Sequence, residues 1–312
     1  MNAARSAEKV EKLKAMLERC ELCPRKCLVD RRAGEKGFCG LGADIVMDCA
    51  IVHHGEEPPL SGRCGAGAIF FSSCNLRCIY CQNYQISHRI SGERSDSAAL
   101  ARVMLSLQEK RCHNVAPVTP TPQTPQIMEA LLLARDQGLK LPFVYNCGGY
   151  EEPEVIKLLD GMVDIYLPDF KYGIETDGQL FSEANNYPAY AVASIREMVR
   201  QVGDGLELAG EAARRGVLIR HLVLPGRVEN SFEVLRLIRE EISPKVSLSI
   251  MAQYTPIPAV ARHPFLGRRI THKEYERVVD FAYDLGFENI FAQEVSNRHL
   301  SPDFAKDEPF DW

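Results

Sequence analysis

From about residue 68 to residue 296 the chain alternates short apolar runs with longer stretches whose apolar residues recur at helical spacing. Short apolar runs bounded by turn residues read as buried strands, and a 3.6-residue period reads as an amphipathic helix. Strands are predicted over 68–71, 114–118, 143–145, 163–167, 217–224 and 246–251. Helices are predicted over 98–107, 127–136 and 206–215, from Pro153 onward, and from Ser231 as N-cap through Ile242. Thr271 and Glu274 form a capping box for a last helix with Tyr275, Val278, Val279, Ala282 and Leu285 on one face. Residues 174–204 read as helices among polar loops, and TPTPQTP, 119–125, as a Pro-rich loop. Strand–helix alternation predicts a parallel sheet with crossover helices, an α/β fold. Six such units predict a partial (β/α)6 barrel with its site at the carboxyl ends of the strands.

Before this region, Val10, Leu13, Met16 and Leu17 mark an amphipathic helix over 7–19 that leads into a cysteine-rich stretch. The predicted organisation is therefore an N-terminal helix and cysteine-rich metal-binding segment (1–67), the partial barrel (68–296) and a C-terminal tail (297–312). The 312 residues are 46% hydrophobic, enough for a full core. Net charge is −5 with no long single-sign block, which argues against a nucleic-acid or acidic-membrane partner. The charged N-terminus lacks a signal-peptide core, no apolar run reaches 18 residues, and a cytoplasmic location is expected. There are eleven cysteines, an odd number, and seven fall in two tight groups. In a reducing compartment that favours metal or redox sites over disulfides.

The stretch FFSSCNLRCIYCQNYQIS, 70–87, places Cys74, Cys78 and Cys81 in a C-x3-C-x2-C spacing directly after the first predicted strand. Iron–sulfur cubes are normally held by four cysteines, so three leave one iron open for chemistry. A zinc knuckle is the plainer alternative, but it wants C-x2-C pairs with a partner pair nearby. Cys20, Cys23, Cys27 and Cys39 form a second group, C-x2-C-x3-C-x11-C, with Gly34, Gly37 and Gly40 supplying turns. Four thiolates make a closed shell, suited to structural Zn or to a second cluster, and thiolate softness alone does not choose between them. Cys49 and Cys64 stand alone and read as small buried hydrophobes. His53, His54, Glu56 and Glu57 read as solvated residues of a Pro-defined turn before the first strand, with a substrate-facing role as the alternative.

The three-cysteine spacing, with Tyr80 just before its last cysteine, resembles the radical S-adenosylmethionine (SAM) superfamily, and the fold it implies is a partial barrel of the radical SAM type. The resemblance implies that a 4Fe–4S cluster chelates SAM through its open iron and cleaves it by one electron to methionine and a 5′-deoxyadenosyl radical. Over nearly the whole chain the sequence is most similar to homologues of pyruvate formate-lyase activating enzyme, activators of glycyl-radical enzymes. Asp169-Phe170-Lys171 resembles their D-x-K motif, which implies that Asp169 and Lys171 bind the methionine part of SAM. That suits a zwitterion, which needs one carboxylate and one cation, on strand residues i and i+2 that point the same way. The segment 220–226 resembles their fifth-strand segment, which implies SAM contacts from Arg220 and Leu222, and Gln253 falls where the family contacts adenosine. One departure stands out. Where the family's G-G-E motif meets the SAM ammonium, this chain has Thr119-Pro120-Thr121-Pro122. Hydroxyls of Thr119 and Thr121, or carbonyls freed by the prolines, are the substitute acceptors.

The expected function is thus a radical SAM oxidoreductase, pyruvate formate-lyase activating enzyme-like, that abstracts hydrogen from a substrate, a glycine of a glycyl-radical enzyme being the finer expectation. Its expected cofactors are a 4Fe–4S cluster, SAM and a second Fe–S cluster or Zn. Its expected partners are a low-potential electron donor of ferredoxin or flavodoxin type and the protein substrate. The alternative is a non-catalytic iron–sulfur protein for electron transfer or cluster handling, which would ignore SAM.

Overall fold

A computed structural model describes residues 3–296, 301–306 and 308–310. The other residues of the expected tail, 297–300, 307, 311 and 312, lie outside the described residues. The strands in chain order are β1 (Ile45–His53), β2 (Ala66–Phe71), β3 (Glu93–Ser95), β4 (Val115–Val118), β5 (Val144–Cys147), β6 (Ile165–Pro168), β7 (Glu207–Ala209), β8 (Ala212–Leu222), β9 (Ser247–Met251) and β10 (Ile290–Ala292). The sheet runs β10-β9-β8-β6-β5-β4-β2-β1-β3, with β7 hairpinned onto β8. All six predicted strands form, as β2, β4, β5, β6, β8 and β9, parallel and in sequence order. Short β10 adds in parallel beyond β9, and β1 and β3 close the other side antiparallel.

The two faces of the sheet differ because side chains alternate along each strand. Ile69, Phe71, Tyr145, Tyr166, Ile219, Leu248 and Ile250 pack into the core beneath the crossover helices. The opposite face carries Ala116, Val144, Ile165, Leu167 and Leu218, packed against Leu60 of the short helix Pro58–Ser61. Next along the same alternation, towards the carboxyl ends, come Asn146, Asp169 and Arg220. On β2 the inward residues Ala68 and Phe70 are covered by the C-terminal segment, with Phe304 and Phe310 rings 5.2 and 5.6 Å from that of Phe70.

Several expectations are corrected. Residues 206–215 are not a helix but the β7–β8 hairpin, although their Ala, Glu and Arg favour helix. Gly210 takes φ +66° in the turn, and Gly216 takes φ +122° where a Cβ would collide with the carbonyl of Gly205. Backbone conformations open mainly to glycine, with burial of Ala212 and Ala213 in the barrel, override local propensity here. Ser231 is not an N-cap. The helix Val228–Leu237 starts earlier, and buried Ser231 instead meets His221 Nε2 at 2.8 Å, while His221 Nδ1 donates to the Phe170 carbonyl at 2.7 Å. Burial pulls His221 down to about pKa 4, so it is a neutral strut. The Pro-rich loop winds into a 3-10 turn, Thr121–Gln123, and a helix from Thr124, because proline costs nothing in a first helical turn. His53 ends β1, a strand hidden inside the cysteine-rich segment, and after it His54 stays exposed as expected while Glu56 and Glu57 turn inward rather than into solvent.

Candidate active site

The loop after β2 is shaped by backbone that side chains rarely adopt. Ser73 and Arg77, neither of them glycine, have φ +71° and +50°, a strained arrangement that functional loops often store. Each cysteine sulfur receives a donor. Leu76 N–H donates to Cys74 Sγ (3.3 Å), the Ser182 hydroxyl to Cys78 Sγ (2.9 Å) and the Ser87 hydroxyl to Cys81 Sγ (3.2 Å). Donors aimed at sulfur are how a protein steadies thiolate charge and tunes a cluster. Burial pushes the Cys74 thiol up to about 12 and raises Cys81, so a metal would have to displace these protons on binding. Among the described residues no three Cys, His, Asp or Glu side chains converge as a single ion requires. A cubane asks for wider spacing, since each thiolate binds its own iron. The donor set fits such a cluster.

Beside this loop the inner face of the sheet gathers charge. Asp169 Oδ2 lies 2.5 Å from Lys171 Nζ, and its Oδ1 accepts from Arg220 Nε at 2.8 Å. Arg220 also donates to Asn146 Oδ1 (2.6 Å) and Glu56 Oε2 (3.1 Å), with Glu57 3.9 Å away. Burial pushes Asp169 up, but the Arg220 and Lys171 charges outweigh it and hold its carboxyl below the usual value. Burial pulls Lys171 down, yet Asp169 above all more than reverses that, and its side chain lies with Leu76 of the three-cysteine loop against Gly148. Burial lifts Glu57 to about 7 against the pull of Arg220, and among the described residues its Oε2 makes no hydrogen bond.

Of the remaining predicted residues, Leu222 follows Arg220 on the same strand face, at the half-buried end of β8. The Gln253 carbonyl accepts from Gln82, the residue after Cys81, which ties the loop after β9 to the cysteine loop. Tyr80 is buried among Tyr172, Phe181 and Tyr254. Thr119, with φ +57°, follows β4 directly and donates its N–H to the Asn146 carbonyl. Thr121 is not brought to this group. Fully buried, it donates to Glu151 Oε1 at 2.7 Å, and the Pro122 carbonyl is taken by Arg31. Sequence reasoning favours a solvated turn for Glu56 and Glu57, with a substrate-facing role only as the alternative, and it missed Asn146, Ser87, Ser182 and Glu151. Only Asn146, a polar residue in an otherwise apolar strand end, left a signal.

Glu151 also receives Tyr145 Oη at 3.4 Å, and burial lifts its pKa to about 7 despite these donors. A carboxyl raised from about 4.5 when unfolded contributes stability that is complete below pH 4.5 and lost as pH rises through 7. Chemical denaturation of wild type and Glu151→Gln should therefore diverge by about 2 kcal/mol between pH 5.5 and 8, with wild type losing the more. Parallel pH profiles would show that Glu151 is ionised in the fold.

Cys20, Cys23, Cys27 and Cys39 all line one pocket, which Asn75 and Arg31 also line. Arg25 ties this pocket to the first loop. Its Nε donates to the Asn75 carbonyl (2.9 Å) and its Nη2 to the Ser182 carbonyl (2.8 Å), and its guanidinium lies 3.7 Å over the Phe38 ring. All eleven cysteines are free, and no helix among the described residues is long and apolar enough to cross a membrane.

A relative in Methanocaldococcus jannaschii, the uncharacterized protein MJ0674, is 29% identical over 296 residues, covering 91% of this chain and 80% of the relative. A second from that organism, the uncharacterized protein MJ0808, is 26% identical over 171 residues, half of each chain. Among solved structures, SuiB of Streptococcus suis aligns at TM-score 0.49 and 11% identity over 72% of this chain and 47% of its own. TYW1 with a lysine-pyruvate adduct bound aligns at TM-score 0.44 and 10% identity over 70% of this chain and 73% of its own. The model of the radical SAM superfamily matches residues 68–251, which run from the strand before the three-cysteine loop to the end of β9. With that match spanning more than half of its length, the chain belongs to the radical SAM superfamily.

Proposed function

We propose that this chain is a SAM-cleaving oxidoreductase whose cluster sits on Cys74, Cys78 and Cys81, and that it takes hydrogen from a glycine of a partner protein. When bound, the 4Fe–4S cluster supplies the single electron that splits SAM into methionine and a 5′-deoxyadenosyl radical. The residues of the chain bind and orient. Asp169 is the acceptor for the methionyl ammonium and Lys171 the donor to its carboxylate, so SAM binding exchanges an internal ion pair for two intermolecular ones. Arg220 keeps Asp169 ionised and fixed, itself held by Asn146 and Glu56. Leu222, Gln253, Tyr80 and Thr119 are proposed SAM contacts around this pair, and Thr121 supports the loop through Glu151. The observation that carries this reading is the meeting of the three-cysteine loop with Asp169, Lys171 and Arg220 at one end of the sheet, where Leu76 of that loop and the Lys171 side chain both lie against Gly148.

Members of the superfamily usually take their electron from a reductant such as ferredoxin or flavodoxin. A donor of that type, a cytoplasmic setting and a glycyl-radical partner complete the proposal, together with zinc or a second cluster on the N-terminal cysteines. Anaerobic reconstitution with iron and sulfide, followed by reduction in the presence of SAM, should yield 5′-deoxyadenosine. Added glycyl-radical enzyme should then acquire an organic radical signal. 5′-Deoxyadenosine without that signal would overturn the choice of glycine, and none at all would overturn SAM cleavage.

A further inference from the structure

We propose that Cys20, Cys23, Cys27 and Cys39 hold a second iron–sulfur cluster that passes electrons to the first through Asn75, with Arg31 as its buried counter-charge. This rests on the SAM-cleaving reading above and assigns the neighbouring site a redox role. The four cysteines surround a cavity of about 20 Å³, more than the ~10–15 Å³ one water needs. They do not converge on a point. Four thiolates about 2.3 Å from one zinc would be nearly in contact with each other, whereas thiolates spread round a space suit a cube with an iron at each corner ligand.

Close backbone packing builds the cradle. A Cβ on Gly37 would stand 2.6 Å from Cys27 Cβ and 2.7 Å from its Sγ, so only glycine lets the chain pass, and the next N–H, of Phe38, donates to that sulfur at 3.3 Å. Arg31 is 1% exposed, and its guanidinium meets the Gly42 carbonyl, the Pro122 carbonyl and Cys20 Sγ, 3.9 Å from Nη1. Among the described residues no carboxylate pairs with it. A cation buried without an anion is costly, and a cluster carrying four thiolates is an anion at the right place.

The two sites adjoin. Asn75, which lines the four-cysteine cavity, directly follows Cys74, and Arg25 bonds both its carbonyl and that of Ser182, whose hydroxyl donates to Cys78. Each site has one buried cysteine, Cys78 in the first and Cys20 in the second, and its other cysteines are half-buried, so both lie near the surface. In the step proposed, a reduced low-potential carrier gives one electron to the N-terminal cluster and is oxidised. That cluster then reduces the one on Cys74, Cys78 and Cys81, with no proton moved.

The test is metal and sulfide analysis of the full chain after anaerobic reconstitution, on wild type, on the triple variant Cys74→Ala, Cys78→Ala, Cys81→Ala and on the double variant Cys23→Ala, Cys27→Ala. Two cubanes give about eight irons and eight sulfides in wild type and about four of each in either variant. About one zinc per chain, or no iron in the triple variant, would overturn the inference, and 5′-deoxyadenosine from that same wild type would show that the SAM-cleaving reading survives its loss. In the triple variant background, Arg31→Met should favour the oxidised form of the remaining cluster at least tenfold, about 59 mV for one electron. Arg31→Lys should restore most of that, and an unshifted potential in Arg31→Met would remove Arg31 from its assigned role.

Discussion

Cys78→Ala should abolish SAM cleavage. A three-ligand cluster that loses one thiolate has two of its irons without protein support. Here the lost ligand is also the most enclosed of the three, buried at 7% exposure, with the Ser182 hydroxyl directed at its sulfur. The neighbouring four cysteines line a pocket of their own. The expected result is 5′-deoxyadenosine below detection, with about four irons per chain missing relative to wild type. Ser182→Ala, which removes only the hydrogen bond, is the matched control and should keep the cluster. Cleavage by Cys78→Ala at the wild-type rate would mean that the reacting centre is elsewhere.

Asp169→Ala should cost both stability and SAM affinity, and the two effects can be told apart. Asp169 stands between Lys171 and Arg220, all three largely buried. Removing the shared anion strands two cations, and breaking a buried ion pair in this way costs about 3–5 kcal/mol. Glu56 and Glu57 near Arg220 soften that loss on one side, while Lys171 pairs with no second carboxylate among the described residues. Lys171→Met removes a cation and leaves Asp169 neutralised by Arg220, so it should fold with little penalty. Its SAM affinity should nonetheless fall by roughly ten- to a hundredfold, the worth of one charge-assisted contact of about 1.5–3 kcal/mol. Equilibrium dialysis against SAM, on samples matched for cluster absorbance, reads the second effect, and denaturation reads the first. Unchanged SAM affinity in Lys171→Met would return the Asp169–Lys171 pair to a purely structural role.

The most surprising tertiary feature is the segment 53–61, which enters the barrel. Pro58-Pro59 opens the short helix Pro58–Ser61, Leu60 packs against the inner face, and Glu56 and Glu57 reach Arg220. Nothing in the local pattern HHGEEPP distinguishes a solvated turn from a plug, because the partner cation lies 164 residues away from Glu56. The same distance problem hid Glu151. The resemblance puts the family's glutamate next to Thr119–Pro122, and a buried glutamate does meet Thr121, but it arrives from the loop after β5 and through the hydroxyl itself.

What the sequence determined by itself are the features with a short period or a fixed local spacing. The six parallel strands, the capping box at Thr271 and Glu274, and the two cysteine groupings all depend on residues within about one turn or one loop of each other, where backbone geometry leaves few alternatives. Asp169 and Lys171 were legible for the same reason, being two apart at a strand end. Tertiary structure alone decided the rest: that 206–215 extends rather than coils, that Ser231 holds His221 instead of capping, that β1 joins the sheet, that Arg31 ties the N-terminal cysteines to the Pro-rich loop, and that Arg25 ties them to the three-cysteine loop. Each of these turns on which distant group stands within a few ångströms. Burial makes such contacts energetically decisive, since a polar group removed from water must find its partner wherever the fold supplies one.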